Sequence, residues 1–230
     1  MHRFINSTLR AFYLCLTFVI VACARYPSDV VQALKLAGDN RAELEKVLEH
    51  YSTRKEDKLK LKAAYFLIAN IPYHYAVHNE MVDSFRIYLD ENEPNKASWV
   101  NFRSDFKRQN EKDQIKPDLQ FITSEYLIRN IDFSFAVWQE TPWGKYYSFD
   151  VFCEEILPYR VSHEPLAYWK EEYYAYFRPI VDSMAHHNMQ PEEICFHLLK
   201  YINKQGWTWP WDFNVDGFGA SILLHKNMSS

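Results

Sequence analysis

"KEDKLKLKAAYFLIANI" (residues 55–71) decides the fold class of this chain. Its apolar side chains recur every three or four residues, which predicts an α-helix with one apolar stripe formed by Leu61, Ala64, Tyr65 and Ile68. Pro72 ends the pattern, because proline has no amide hydrogen with which to continue a helix.

Two helices are predicted before this stretch. Residues 29–37 follow Ser28, which we expect to cap the helix, and Gly38 stops it. A second helix, "RAELEKVLEHY", starts after Asp39 or Asn40. Both have the apolar spacing of elements that lie on a common core.

The same periodicity continues through most of the remaining chain. Further helices are predicted over 81–91, 97–112, 118–139, 149–157 (capped by Ser148 and closed by Pro158), 165–187 and 191–206. The sequence has five glycines, and the alternation typical of strands is hard to find. We therefore predict a mainly α fold, an irregular multi-helix bundle over residues 23–206, followed by a loop-like aromatic segment over residues 207–230.

The N-terminus has the pattern of a bacterial lipoprotein signal peptide. Arg3 and Arg10 give a short basic start before an apolar run over residues 11–22, which is broken only by Thr17. The run is shorter than the roughly 20 residues that a membrane-spanning helix needs. "IVAC" (residues 20–23) resembles the lipobox that a lipoprotein signal peptidase recognises. We predict that residues 1–22 are removed and that Cys23 is lipidated. The alternative is an ordinary cleaved signal peptide in which Cys23 is incidental.

The charge of the chain bears on its partners. Lys and Arg number 26 against 30 Asp and Glu, which gives a formal net charge of −4, and no long basic stretch occurs. Proteins that bind nucleic acid usually carry a basic patch or stripe. We therefore expect no nucleic-acid partner.

Cys153 is the first candidate nucleophile, because glutamates, an arginine and a histidine follow it closely. Helical spacing puts it on an apolar stripe with Phe149, Phe152, Ile156 and Leu157. A reactive thiolate needs partial exposure and a positive neighbourhood, whereas Glu154 and Glu155 would raise the pKa of the thiol. We predict a buried, inert cysteine.

Cys195 is predicted to point inward as well, in line with Leu199 and Ile202. His197 lies two residues further along and projects from another part of the helix, which disfavours a Cys-His pair. The sequence leaves a disulfide between Cys153 and Cys195 open.

Other polar side chains give weaker candidates. His74 and His78 have the spacing of two metal ligands on a helix, but no third ligand is evident, and His186 and His187 read as a polar helix end. We expect no metal site and no cofactor. Arg160 and Glu164 flank a loop beside Trp169 and are predicted to form a fixed ion pair, as scaffold rather than as a substrate contact.

Trp207, Trp209 and Trp211 alternate near the C-terminus. Exposed indoles would form a platform on which sugar rings stack, whereas buried indoles would pack into this domain or a neighbouring one. Pro210 argues against a central strand here, and we favour packing.

Three segments together resemble a known family. They are "LKAAYFLIANIPYHYA" (61–76), "EYLIRNIDFSFAVWQETPW" (125–143) and "SFDVFCEEILPYRVSHEPLAYWKEEYYAYF" (148–177), of which the third is the most specific. They resemble the N-terminal region of transglutaminase-like lipoproteins of Bacteroidetes-type bacteria, over about residues 26–224. The resemblance implies a helical region that precedes a papain-like core, in which a Cys, a His and an Asp carry out acyl transfer.

The resemblance also implies where the catalytic cysteine of that core would begin. In the family it follows a Ser-x-Leu-Leu-like stretch in a Gly-x-Cys setting, and "SILLHKNMSS" (221–230) looks like the approach to it. The chain ends at Ser230, so no catalytic residue of the family maps onto it, and we expect a truncated core that is inactive by itself.

These observations support two hypotheses about function. The first is a lipid-anchored protein of the bacterial cell envelope, with the membrane as its partner and no enzymatic activity in this chain. The alternative is a surface lipoprotein that binds a glycan or a peptide through Trp207, Trp209 and Trp211, with Arg160 and Glu164 as further candidate contacts. The sequence does not distinguish an outer-membrane from an inner-membrane location.

Overall fold

The computed structural model describes residues 26–78, 84, 87, 114–141, 143–185 and 189–204. The predicted signal peptide, Cys23 and the segment 207–230 lie outside these residues, as do His186 and His187 and nearly all of the helices predicted over 81–91 and 97–112. The α-helices are α1 (Ser28–Leu36), α2 (Arg41–Ser52), α3 (Lys58–Asn70), α4 (Ser124–Glu140), α5 (Phe149–Val151), α6 (Trp169–Ala185) and α7 (Pro191–Lys204). The predicted mainly α fold is confirmed.

Helix α3 lies at the centre of the bundle and packs against α1, α2 and α4. Its predicted stripe is confirmed, since Ala64 and Ile68 are fully buried and Leu61 and Tyr65 pack at the edge of the core. The neighbouring helices contribute the largest fully buried aliphatic side chains, Leu34, Leu44, Leu48, Leu127 and Ile131. Truncating one such side chain to alanine typically costs about 2–5 kcal/mol, so this core supplies much of the driving force for folding.

Gly38 ends α1 as predicted, with φ +54, a conformation that strains residues with a side chain. The cap predicted at the other end is wrong. Ser28 is the first residue of α1, Pro27 precedes it, and no side chain caps the helix. Asn40 directly precedes α2, but its side chain does not cap the helix. Its side-chain amide instead donates to the carbonyl oxygens of Leu119 (3.1 Å) and Ile122 (3.0 Å) and so fixes the loop before α4.

A two-stranded antiparallel sheet was not predicted. Strand β1 (Tyr75–His78) pairs with β2 (Gln114–Pro117), with Tyr75 opposite Pro117 and His78 opposite Gln114. Each strand has four residues and β2 is largely exposed, so neither shows the alternation by which strands are detected. An extended chain also places His74 and His78 roughly 13 Å apart, too far for the shared metal ion that a helix would have allowed.

Helix starts depart from the sequence prediction in two places. Asp118–Gln120 is a single 3₁₀ turn, and α4 begins only at Ser124, where the Thr123 hydroxyl accepts a hydrogen bond from the Tyr126 amide at 3.2 Å. The helix predicted from residue 165 begins at Trp169 and carries Pro179 in its interior. The start of α4 is set by the Thr123 cap and not by apolar spacing.

Ser148 caps α5 as predicted, since its hydroxyl accepts from the Val151 amide at 3.2 Å. The helix then continues as a π-helical turn, Phe152–Ile156, in which the Leu157 amide donates to the Phe152 carbonyl at 2.9 Å. Phe152 and Leu157 are fully buried in the core. The turn therefore points the predicted apolar stripe inward while widening the backbone at its C-terminal end.

Glu43 joins α2 to the start of α4. Its carboxylate accepts from the Ser124 amide (2.8 Å) and hydroxyl (2.7 Å) and also pairs with Lys46. Hydrogen bonding to Lys46, followed by the bonds from Ser124, lowers the pKa of Glu43 from 4.5 to about 2. The ionised carboxylate therefore stabilises the contact between the two helices.

Glu43→Gln is expected to flatten the acid unfolding profile. Because the pKa of Glu43 is depressed in the folded protein, its contribution is complete above pH 4.5 and is lost as the pH falls towards 2. Urea denaturation at pH 5, 4, 3 and 2 should therefore show a steeper loss of stability in the wild type than in the variant. Glu45→Gln, which removes an exposed pair with Arg41, is the matched control. Equal slopes for wild type and Glu43→Gln would contradict the assignment.

Candidate functional site

Arg160 forms a buried ion pair, but not with the predicted partner. Its Nε donates to Asp118 Oδ2 at 2.8 Å and its Nη2 donates to Asp118 Oδ1 at 2.6 Å. The Arg160 and Asp118 side chains are 4% and 0% exposed. The sequence prediction missed Asp118 because it lies in a different segment of the chain, directly after β2.

Glu164 takes a different role from the predicted ion pair with Arg160. Its carboxylate accepts from the backbone amides of Val161 (2.9 Å) and Ser162 (2.7 Å), while its backbone oxygen accepts from Arg160 Nη1. Glu164 is itself buried. Arg160 and Glu164 thus close a compact loop through these hydrogen bonds.

Two aromatic side chains complete this buried charge network, which consists of His74, Asp118, Tyr159, Arg160 and Glu164. The Tyr159 hydroxyl donates to Asp118 Oδ2 at 2.9 Å and lies 3.1 Å from His74 Nδ1. Because the Tyr159 hydroxyl donates its hydrogen bond to Asp118, its contact with His74 requires the tautomer that donates from Nδ1. Burial lowers the pKa of His74, and burial followed by Asp118 raises the pKa of Tyr159. Asp118 therefore accepts hydrogen bonds from both Tyr159 and Arg160.

Cys153 is buried, as predicted. Burial, with smaller contributions from Asp150 and Glu154, raises the pKa of its thiol to about 11. A thiol with this pKa is almost entirely protonated at neutral pH and is a poor nucleophile.

The prediction that Cys195 points inward is wrong, because the side chain is exposed. On α7 Ile194 is buried, so the helix turns a different face to the core from the one predicted. Cys195, Phe196 (56% exposed) and Leu199 (60% exposed) lie on its outer face. Both cysteines are free thiols. Within the part of the chain that the structure describes, no hydrogen bond joins Cys195 to an imidazole.

A cleft of about 290 Å³ opens between α4, the π-helical turn and the first turns of α6. We refer to it as the lysine cleft. Its lining is mostly aromatic and aliphatic and consists of Phe133, Val137, Ile156, Trp169, Tyr173 and Tyr174. The side chains of Ser134, Glu155 and Lys170 add a hydroxyl and two charged groups. The sequence analysis missed it, although Lys170 stands in an aromatic run, "YWKEEYYAYF", that sets it apart from the other lysines.

Lys170 is the central polar group of the lysine cleft. Its Nζ donates to the carbonyl oxygens of Ile156 (2.7 Å) and Leu157 (3.0 Å) and to Ser134 Oγ (3.0 Å). Burial lowers the pKa of Lys170 from 10.5 to about 7. The amine therefore holds the end of the π-helical turn and populates both protonation states near neutral pH.

Two wider observations apply to the described residues. They contain no group of three or more His, Cys, Asp or Glu side chains that could hold a metal ion. They also contain no helix long and apolar enough to cross a membrane. Compared with known proteins, the chain matches no family model, no curated protein and no solved structure.

Arg160→Met is expected to lower the free energy of unfolding by about 3–5 kcal/mol, because it leaves the Asp118 carboxylate buried without its counter-charge. Guanidinium chloride denaturation measures the change. Arg41→Met is the matched control, since it removes an exposed pair with Glu45 and should cost less than about 1 kcal/mol. A loss for Arg160→Met as small as that of the control would show that the buried charge network does not hold the fold together.

Proposed function

We propose that this chain is a lipid-anchored protein of the bacterial cell envelope whose helical domain has no thiol-based catalytic activity. The observation that carries the proposal is the position of the lipobox-like "IVAC" (residues 20–23) directly before a folded helical domain. Helix α1 begins at Ser28, five residues after Cys23. Five extended residues reach at most about 18 Å, so acyl chains on Cys23 would keep the domain close to the membrane surface.

The surroundings of the two described cysteines support the second part of the proposal. Acyl transfer by cysteine needs a thiolate, an imidazole to activate it and a group that orients the imidazole. Cys153 is buried and protonated, and its flanking charges are acidic. The partly buried imidazole of His74 contacts the Tyr159 hydroxyl. Cys195 is exposed, but no hydrogen bond joins it to an imidazole among the described residues.

The relationship to transglutaminase-like lipoproteins belongs to the same proposal. The three segments that carry the resemblance meet in one core, where Ile68 of α3, Ile131 of α4 and Phe152 of the π-helical turn belong to a single buried cluster. On this proposal the chain is equivalent to the helical N-terminal region of such a protein.

Cys23→Ala is expected to abolish lipid attachment. The full chain, expressed in a bacterial host fed an alkyne-tagged palmitate, should carry the label and sediment with membranes, whereas Cys23→Ala should be unlabelled. Cys15→Ala is the matched control, because it changes a cysteine in the predicted signal peptide and should leave the label in place. An unlabelled wild type that is nevertheless shortened would indicate an ordinary cleaved signal peptide and contradict the anchor.

The purified protein is expected to show no amide chemistry that depends on its thiols. Hydrolysis of a fluorogenic peptide amide and incorporation of dansylcadaverine into casein should proceed at the same background rate in wild type, Cys153→Ala and Cys195→Ala. The reason is that Cys153 is a protonated, buried thiol and Cys195 has no hydrogen-bonded imidazole among the described residues. Activity in the wild type that either substitution removes would overturn the silent-domain proposal.

A further inference from the structure

The lysine cleft combines an apolar wall with a polar floor. Phe133, Trp169, Tyr173 and Tyr174 supply aromatic surface, and Val137 and Ile156 supply aliphatic surface. The floor is formed by Ser134 and Lys170. Sites for small molecules are typically lined in this way, with a few convergent polar groups fixing the orientation of an otherwise apolar ligand.

Ser134 has an unused hydrogen-bond donor. Its side chain is 1% exposed and its oxygen accepts from Lys170 Nζ at 3.0 Å. The hydroxyl proton itself has no acceptor among the described residues. A buried donor without a partner costs about 1–3 kcal/mol, and an acceptor atom of a ligand in the cleft would remove that cost.

Lys170 adds positive charge to the same point. Two of its three donors hold the carbonyl oxygens of Ile156 and Leu157, and the third reaches Ser134. A ligand that accepts from this third donor can also accept from the Ser134 hydroxyl. The paired donors fit the two oxygens of a carboxylate.

The positive charge of Lys170 favours an anionic ligand group beside it. Lys170 lies on the floor, while Glu155 is exposed at the rim. Aromatic walls can also bind cations, but an ammonium on the floor repels them.

We propose that the lysine cleft binds a small organic carboxylate with an aromatic or branched aliphatic body, its carboxylate accepting hydrogen bonds from Ser134 Oγ and Lys170 Nζ. The apolar body lies against Trp169 and Tyr173. The volume of about 290 Å³ is at the lower end of the range for ligand sites, so the ligand is of single-ring size. This site is independent of lipid anchoring, since none of its groups belongs to the N-terminal segment.

Three probes of one shape test the proposal on the unaltered full chain. Phenylacetate, phenylacetamide and phenethylammonium share the ring and differ in the polar end. Burial lowers the pKa of Lys170 to about 7. The titrations are done at pH 6, which lies below this pKa, so that the ammonium form predominates. Titration followed by calorimetry and by ¹H–¹⁵N chemical shifts should show saturable binding of phenylacetate, binding of the amide weaker by about tenfold, and no binding of the cation.

Variants locate the binding. Ser134→Ala removes the hydroxyl donor with little change in side-chain shape and should weaken phenylacetate binding about tenfold. Val137→Trp fills the cleft and should abolish binding while the circular dichroism spectrum is kept. Ser52→Ala, a change of the same chemistry on α2, is the matched control and should bind as the wild type does.

The proposal fails if phenylacetate shows no saturable binding to the wild type, or if the amide or the cation binds as well as the carboxylate. It also fails if Val137→Trp folds and still binds. These outcomes do not depend on whether Cys23 is lipidated, so they are separate from a failure of the anchoring proposal.

Discussion

The buried pair of Asp118 and Arg160 is the constraint on which the middle of the fold depends. A carboxylate with no solvent exposure must be matched by a counter-charge and by hydrogen bonds, because an unpaired buried charge costs several kcal/mol. Asp118 follows β2, and its amide donates to the His74 carbonyl just before β1. Arg160 lies in the loop after the π-helical turn, and His163 in that loop accepts from the Val77 amide of β1 at 2.8 Å. One ion pair therefore fixes the small sheet against this loop.

Lys170 performs a similar task on the other side of the π-helical turn. The last carbonyl groups of a helix have no partner within it, and the π-helical turn ends at Ile156. Lys170 binds the carbonyl oxygens of Ile156 and Leu157, and Asn130 of α4 also donates to Leu157 at 2.9 Å. The turn and the following loop, residues 152–164, are thus held between two polar clusters. This arrangement places a partly buried amine beside aromatic side chains, which is why a cleft of distinct chemistry exists there.

What the sequence predicted correctly depends on local physics. The stripe through Ala64 and Ile68, the stop at Gly38 and the cap at Ser148 each follow from residues within one or two helical turns. The pairing of β1 with β2, and of Asp118 with Arg160, joins segments that are far apart in sequence, and periodicity carries no information about such contacts. Cys195 shows a further limit, because apolar neighbours on a helix do not determine which face is covered. The burial of Lys170 likewise depends on α4 and the π-helical turn closing over it.

Pro179, inside α6, has a mechanical consequence. Proline cannot donate the backbone hydrogen bond to the Ala175 carbonyl, so the helix is least stiff at this point. The part of α6 before it carries Lys170 and Tyr173, and the part after it leads to α7. We therefore expect that a displacement of α7 would bend α6 at Pro179, while Lys170 and Tyr173 keep their positions beside α4.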